Sequence, residues 1–352
     1  MQTTHQYNIF IKDLSAKIWE LLPKDWSFTD ELNHESTAQF SISFQEFKKI
    51  AEATGSSNMA IFTASFREIW IERDGSKIFW GALTSFDIDP TDDGEMTMKL
   101  NAVSWFGIFQ KRFAGIPKRV FTGVDAGEIA WTLIDESQSS DSTYSDLGIT
   151  EGSITASKNR DRTYKFDNVK ESIIKLSNDN LADGFDFEID NSKAFNVHYP
   201  TRGTTRNNII FDFDTMKSFK YHKPLIFDLA NKVHVVGAGD NDDVLYTTRT
   251  AATGYRTDWH TLEEKMSETD IIELATLQDK GDRKLANSQT PVIAFTVEHY
   301  DTIIQWSHYD VGDTVRANLP ELGMTNEAKR VRSRKFTMDA TKSIGVISSV
   351  LI

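Results

Sequence analysis

The chain has no cysteine. That single absence removes a disulfide framework, a thiolate metal site and a thiol nucleophile. It fits a cytosolic protein, or one assembled in the cytosol and later exported inside a particle. No apolar run approaches the roughly 18 residues that a membrane-spanning helix needs. The N-terminus has neither the basic region nor the apolar stretch of a secretory signal. Basic charge is also short: 52 acidic residues face 39 basic ones, a formal net charge of −13. Phosphate contacts need clustered Lys and Arg, so holding a polyanion is not the main task of such a chain. An acidic wall does suit a conduit that nucleic acid slides past, although acidity is common among soluble proteins and needs no special role.

Catalytic signatures are missing too. There is no H-E-x-x-H, no G-x-S-x-G and no phosphate-binding P-loop. The eight histidines (His5, His34, His198, His222, His234, His260, His299 and His308) are scattered. Gly237 and Gly239 follow a strand pattern but lack the third glycine and the helix of a dinucleotide fold. The loop Asp240-Asn241-Asp242-Asp243 has oxygen ligands for a hard cation, but not the glycine or the distant Glu of a calcium loop. Asp212 and Asp214 would share a face of a strand, where a solvated surface explains them as well as paired carboxylates do. No catalytic, cofactor-binding or metal residue is therefore assigned, and the chain is read as non-enzymatic.

What is present points to sheets. The 352 residues suffice for two or three domains with cores of their own, and 23 Phe and 8 Trp suit β-rich cores and interfaces. Gln6 to Lys12 alternates as a strand, and a second apolar run ends at Leu22. Ala38, Phe40, Ile42 and Phe44 give the clearest strand of the chain. Gln45 to Thr54 has helical spacing. Asp74-Gly75 between two apolar runs is the strongest short hairpin signal, because a type I′ turn needs φ > 0 at both central residues. Met96 to Ala102 alternates again.

Beyond residue 112 the texture changes. Asp125 is positioned to cap a helix from Ala126 to about Ser137, with Glu128 as its reciprocal partner. Asn168 to Ala182 reads as an amphipathic helix capped by Asn168. Phe185 to Ile189, Phe195 to Tyr199 and Ile209 to Phe213 read as strands. Val233 to Val236 begins another unit, followed by a helix from Asp270 to Asn287 that Gly281 weakens by roughly 1 kcal/mol relative to Ala. A strand from Val292 to Glu298, a turn at Val311-Gly312-Asp313 and a strand from Thr314 complete the pattern. The expected fold is α+β and β-rich: two β-barrel-like domains, 1–112 and 225–352 (the second with a helical insertion), flank a mixed α/β domain at 113–224.

The basic cluster Lys329 to Lys335 alternates, placing Arg330, Arg332 and Arg334 on one side. Such a stripe would either grip a carboxylate-rich neighbour or protect an edge strand from aggregation. The eight tryptophans are too dispersed for a sugar-binding platform, so core packing and subunit contact are their default roles.

The order of these segments resembles a known family. DWSFTDELN leads to a D-G hairpin and KIFWGALTSFD. FTGVDAGEIAWTLI precedes NVKESIIKLS and FDFEI, and YDVGDTVRANLP follows. Across nearly the whole chain the pattern is similar to the hub proteins at the tip of tailed-phage tails, including siphophage minor tail proteins and baseplate hubs. The resemblance implies two related tube-like barrels per chain and a homotrimer that presents six similar units to a sixfold tail tube, with threefold symmetry beyond. It implies a virion protein assembled in the host cytoplasm. A tail tube or distal tail protein would lie on one side, a tip or fibre protein on the other, and DNA would pass without specific binding. Many relatives carry an extra lytic or fibre domain, but no lytic activity is carried over to this chain. The alternative is a carbohydrate-binding or glycan-hydrolysing protein of a virion or cell surface, and a secretion or injection machine would use the hub fold equally well.

Overall fold

A computed structural model describes residues 5–12, 18–54, 68–90, 95–140, 145–155, 157–178, 184–222, 229–239, 243–252, 260–268, 271, 273–289, 293–339 and 344–352. The chain forms two compact units: Met1–Ser177 with Phe185–Phe219 and Thr296–Leu351, and Asn178–Gly184 with Lys220–Phe295 and Ile352.

The first part of the chain is β1 (Tyr7–Lys12), β2 (Ile18–Leu21), β3 (Asp25–Glu31), β4 (Thr37–Ser43), α1 (Phe44–Thr54), β5 (Glu68–Arg73), β6 (Ser76–Pro90) and β7 (Met96–Ser104). The Asp74-Gly75 hairpin forms as expected. Arg73 pairs with Ser76, and the two turn residues have φ of 51° and 81°. DWSFTDELN, which carried no strand assignment, is a central strand. Trp26 and Phe28 alternate inward, and β3 lies between β4 and the chain's penultimate strand.

Next come α2 (Trp105–Ile108), β8 (Phe113–Ala114), β9 (Arg119–Asp125), α3 (Ala126–Gln138), β10 (Thr150–Ile154), β11 (Asn159–Tyr164), β12 (Asp167–Asn168), α4 (Val169–Ser177), β13 (Asp186–Ile189), β14 (Ala194–His198), β15 (Thr205–Phe211) and β16 (Ser218–His222). Asp125 caps α3, accepting from the Gly127 N–H at 2.8 Å and the Glu128 N–H at 3.4 Å. Asn168 likewise accepts from the Glu171 N–H at the start of α4. Ile129, Leu133, Ile173 and Leu176 bury the facing sides of the two helices in one core with Phe187 and Phe195. The expected extension of α4 beyond 178 falls largely outside the described residues.

The last part is β17 (Lys232–Val236), β18 (Tyr246–Thr250), β19 (Glu263–Ser267), α5 (Leu274–Ser288), β20 (Ala294–Tyr300), β21 (Thr314–Leu319), β22 (Met324–Asp339) and β23 (Ile344–Leu351). Within the second unit β18-β17-β19 form a small sheet in which β17 pairs parallel with β19. Val233 and Val235 bury one face against Leu277 and Leu285 of α5. Gly281 has a packing reason that outweighs its poor helix propensity. A Cβ there would lie 2.8 Å from Val235 Cγ2 and 2.5 Å from Arg249 Cγ.

The closed barrels expected at the two ends are not found among the described residues. Strands from both ends share one open sheet, in the order β20-β23-β22-β3-β4-β7-β6-β5-β1-β2, from which β21 and β15 branch at β22. The 16-residue β22 explains the merger. Its first half pairs with β21, and its second half pairs with β23 on one side and β3 on the other. Phe336 faces Phe28 across β22–β3. The two rings pack with Trp26, Trp306 and Tyr7 at centroid distances of 4.7 to 6.3 Å. This aromatic core is where residues from both chain ends meet.

Candidate functional site

The residues singled out in the sequence do not converge. β15 ends at Phe211, so Asp212 and Asp214 lie in a turn and not on one strand face. Asp212 Oδ1 accepts from the N–H groups of Asp214 and Thr215 at 3.1 and 3.0 Å, which is the ordinary work of a turn-closing Asp. Of the acidic loop, Asp240, Asn241 and Asp242 lie outside the described residues, and Asp243 is exposed. A Cβ on Gly237 would meet Ile271 O at 2.9 Å, so this glycine is set by close packing and cradles no phosphate. The histidines stay apart: His5 bonds Asp74, His198 bonds Glu188, His234 bonds Tyr246, and His308 accepts from the Gln305 N–H. Trp80 and Trp105 meet edge to face, with the Lys193 ammonium 4.7 and 3.7 Å from their rings. Among the described residues, no three His, Asp or Glu are grouped to hold a metal ion.

The arginine stripe is broken by geometry. A bulge between Val331 and Ser333 shifts the register of β22, so Val331 is buried before it and Arg334 and Phe336 after it. Arg334 therefore turns inward to this chain's own Asp310, while Arg330, before the bulge, bonds Asp186. No sequence pattern marks a bulge here, so strict alternation put these arginines on one face.

These arginines anchor an extended polar assembly of the first unit. Arg334 gives Nη1 to the carbonyls of Trp306 (2.8 Å) and Tyr309, and Nη2 to Asp310 (2.5 Å), with Asp30 at 3.5 Å. Its guanidinium carbon stands 3.8 Å from the Trp306 ring centroid. Arg202 bridges Asp310 at 3.0 Å and Glu188 at 2.7 Å. Arg330 bonds Asp186, which also accepts from Asn33 Nδ2 at 2.9 Å and from the Arg202 N–H at 2.6 Å. Carboxylate and guanidinium alternate along the series Glu188–Arg202–Asp310–Arg334–Asp30. The residues come from β3, β13, β22, the segment before β21 and the segment after β14. Around them is a cleft of about 200 Å³, lined also by His34, Lys77 and Asp190.

Electrostatics follows from this arrangement. Burial pushes the Asp30 carboxyl up, and the Asp310 charge adds to it, against the pull of Arg334 and Arg202. At Asp310 burial works in the same direction, but the two guanidiniums outweigh it and hold the group below the usual carboxylate range. Both carboxylates are committed to the same Arg334 nitrogen. That leaves neither as a free base nor the pair as an acid and nucleophile across an open sugar site. The cluster is chemically a staple: alternating opposite charges that join segments far apart in sequence.

No protein-family model matches the chain, and no curated protein sequence matches it. Solved structures do. A tail protein from Neisseria meningitidis MC58 superposes with a TM-score of 0.66 at 12% identity, over 98% of this chain and 96% of that one. The 43 kDa tail protein of prophage MuSo2 from Shewanella oneidensis gives 0.69 at 10% identity, over 99% and 98%. An Escherichia coli component of the type VI secretion system, described as structurally similar to T4 bacteriophage tail proteins gp27 and gp5, gives 0.52 at 7% identity, over 97% and 76%. At such identities the likeness is one of fold, and the fold matched is the one the segment order resembles.

Proposed function

We propose that this chain is a structural protein of the tail tip of a tailed phage or related injection particle, acting as a trimeric hub between a sixfold tube and a threefold tip. The observation that carries the reading is the fold shared end to end with two phage-type tail proteins, covering 96 to 98% of their chains. The E. coli component, with its own described likeness to T4 tail proteins, supports a place near the hub. The staple supports a structural role as well: its carboxylates are consumed in ion pairs.

In this reading residues 1–112 and 225–352 supply the tube-facing parts, and 113–224 lies outside the ring. DNA passes through the centre without specific contacts, which a net charge of −13 favours. Tube or distal tail protein binds on one side and tip or fibre protein on the other. The particle is assembled in the host cytoplasm.

Mass photometry of the purified chain across a concentration series tests the assembly. Trimers that grow in with concentration are expected, and a monomer at every concentration overturns the trimer. Electron microscopy of the parent particle, labelled on this chain, tests the location. Label confined to the tail tip is expected, and label on the capsid or along the tail shaft overturns the hub.

A further inference from the structure

The cleft beside the staple holds polar groups that the chain itself does not satisfy. Arg334 is 3% exposed and both its Nη atoms are engaged, yet its Nε has no hydrogen-bond partner. A buried donor left in that state is costly, and an acceptor placed in the cleft would relieve it. Two more donors belong to the same lining. Among the described residues, neither the His34 ring nor Lys77 Nζ has a carboxylate partner. Lys77 rests on the rings of Trp70 and Trp80, 5.3 and 3.6 Å from their centroids. On the acceptor side, Glu31 meets Arg332 only at 4.0 Å, and Asp30 meets Arg334 at 3.5 Å.

The strong charges of the cleft are already matched. Arg202 has Glu188 and Asp310, and Arg334 has Asp310 and Asp30. An ion entering the cleft must break one of these pairs or stay unpaired, and both are costly. A hydroxyl needs neither. It donates to a carboxylate and accepts from a cation, and such charge-assisted bonds are the stronger kind. The unmatched groups therefore fit a ligand with several hydroxyls and no charge. Volume narrows the class: a cavity of about 150 Å³ holds benzene, so one of about 200 Å³ admits a single six-membered sugar ring and not a chain of them.

We infer that this cleft binds one neutral hexose residue, whose hydroxyls accept from Arg334 Nε, His34 and Lys77 and donate to Glu31 and Asp30. The site binds without cleaving, because the ion pairs leave no free acid or base. It is independent of the hub reading, and either stands if the other fails.

Calorimetric titration of the full chain, with saturation-transfer NMR for weak binding, tests the site. The probes are glucose, galactose, mannose and N-acetylglucosamine, with glucuronate, glucosamine and inorganic phosphate as charged controls. The variants are His34→Ala, Lys77→Met and Asn191→Trp, the last at an exposed position of the lining and meant to fill the cleft. None belongs to the ion-pair series, and circular dichroism confirms that each folds. At least one neutral sugar should bind the wild type, one per chain. Each of the first two variants should bind it about tenfold more weakly, the loss of one hydrogen bond to a charged or polar partner. Asn191→Trp should not bind it. Equal binding of a disaccharide ending in that sugar assigns the site to a glycan terminus, and binding of the free sugar alone assigns it to a small metabolite. A wild type that binds no neutral sugar overturns the inference and leaves a cleft filled by water only. Tighter binding of a charged control, or variants that bind as well as the wild type, overturn it too.

Discussion

The two compact units solve the same problem with opposite uses of charge. The first buries its cations: Arg73 with the equally buried Asp301, and Arg334 with the half-exposed Asp310 and the partly buried Asp30 beside the aromatic core. The second keeps its core apolar, around Val233, Val235, Leu277 and Leu285, and leaves most of its pairs near the surface, Lys232 with Glu263, Arg249 with Asp282 and Lys284 with Glu264, with Lys280–Glu268 partly buried. A three-stranded sheet under one helix has its register fixed by apolar packing alone. A wide sheet assembled from both chain ends admits many slipped pairings, and a buried guanidinium with defined partners rejects them. Buried pairs add little net stability, but breaking one is costly.

The largest effect should come from removing the hub of the staple. Arg334→Ala strands Asp30 and Asp310 without their shared cation, and a loss of about 3–5 kcal/mol in urea unfolding is expected. A loss under about 1 kcal/mol would show that the staple contributes nothing beyond a surface pair.

A smaller effect belongs to His299, which is buried beside Phe211 and bonds Tyr309 Oη at 2.8 Å. Burial lowers its pKa from the usual 6.5 to about 4. Between those values the unfolded chain binds a proton there and the folded chain does not. Stability therefore rises with pH across that window, and the contribution is lost as pH falls through it. The full span is about 3 kcal/mol at most. Melting curves from pH 7 to 4 should show this slope in the wild type and a flatter one in His299→Gln. Equal slopes would mean that the imidazole titrates normally.

The smallest effect is expected in the second unit. Lys284→Ala removes a 2.8 Å pair with Glu264 in which both partners are about a third exposed or more, and should cost less than about 1 kcal/mol. A cost as large as that of Arg334→Ala would erase the contrast between the units.

Local signals were legible in the sequence where chemistry acts within a few residues. The Asp74-Gly75 turn, the Asp125 and Asn168 caps and the alternation from Ala38 to Ile42 all stand where the pattern placed them. What could not be read was set by distant partners. Phe336 meets Phe28 because β22 inserts beside β3, and nothing near either residue announces it. The bulge after Val331 reversed the faces of an apparently regular arginine stripe, and so hid the staple. Gly281 looked like a defect because its reason lies in Val235, on another element.

The position of β22 also governs the order in which this protein can be made. On a ribosome, β3 emerges long before β22, the strand that covers its open side. Until β22 appears, the nascent sheet shows an unpaired edge and half an aromatic core to its surroundings. Folding of the first unit is thus a late, non-local event, slow by topology and dependent on the C-terminal strands for its completion.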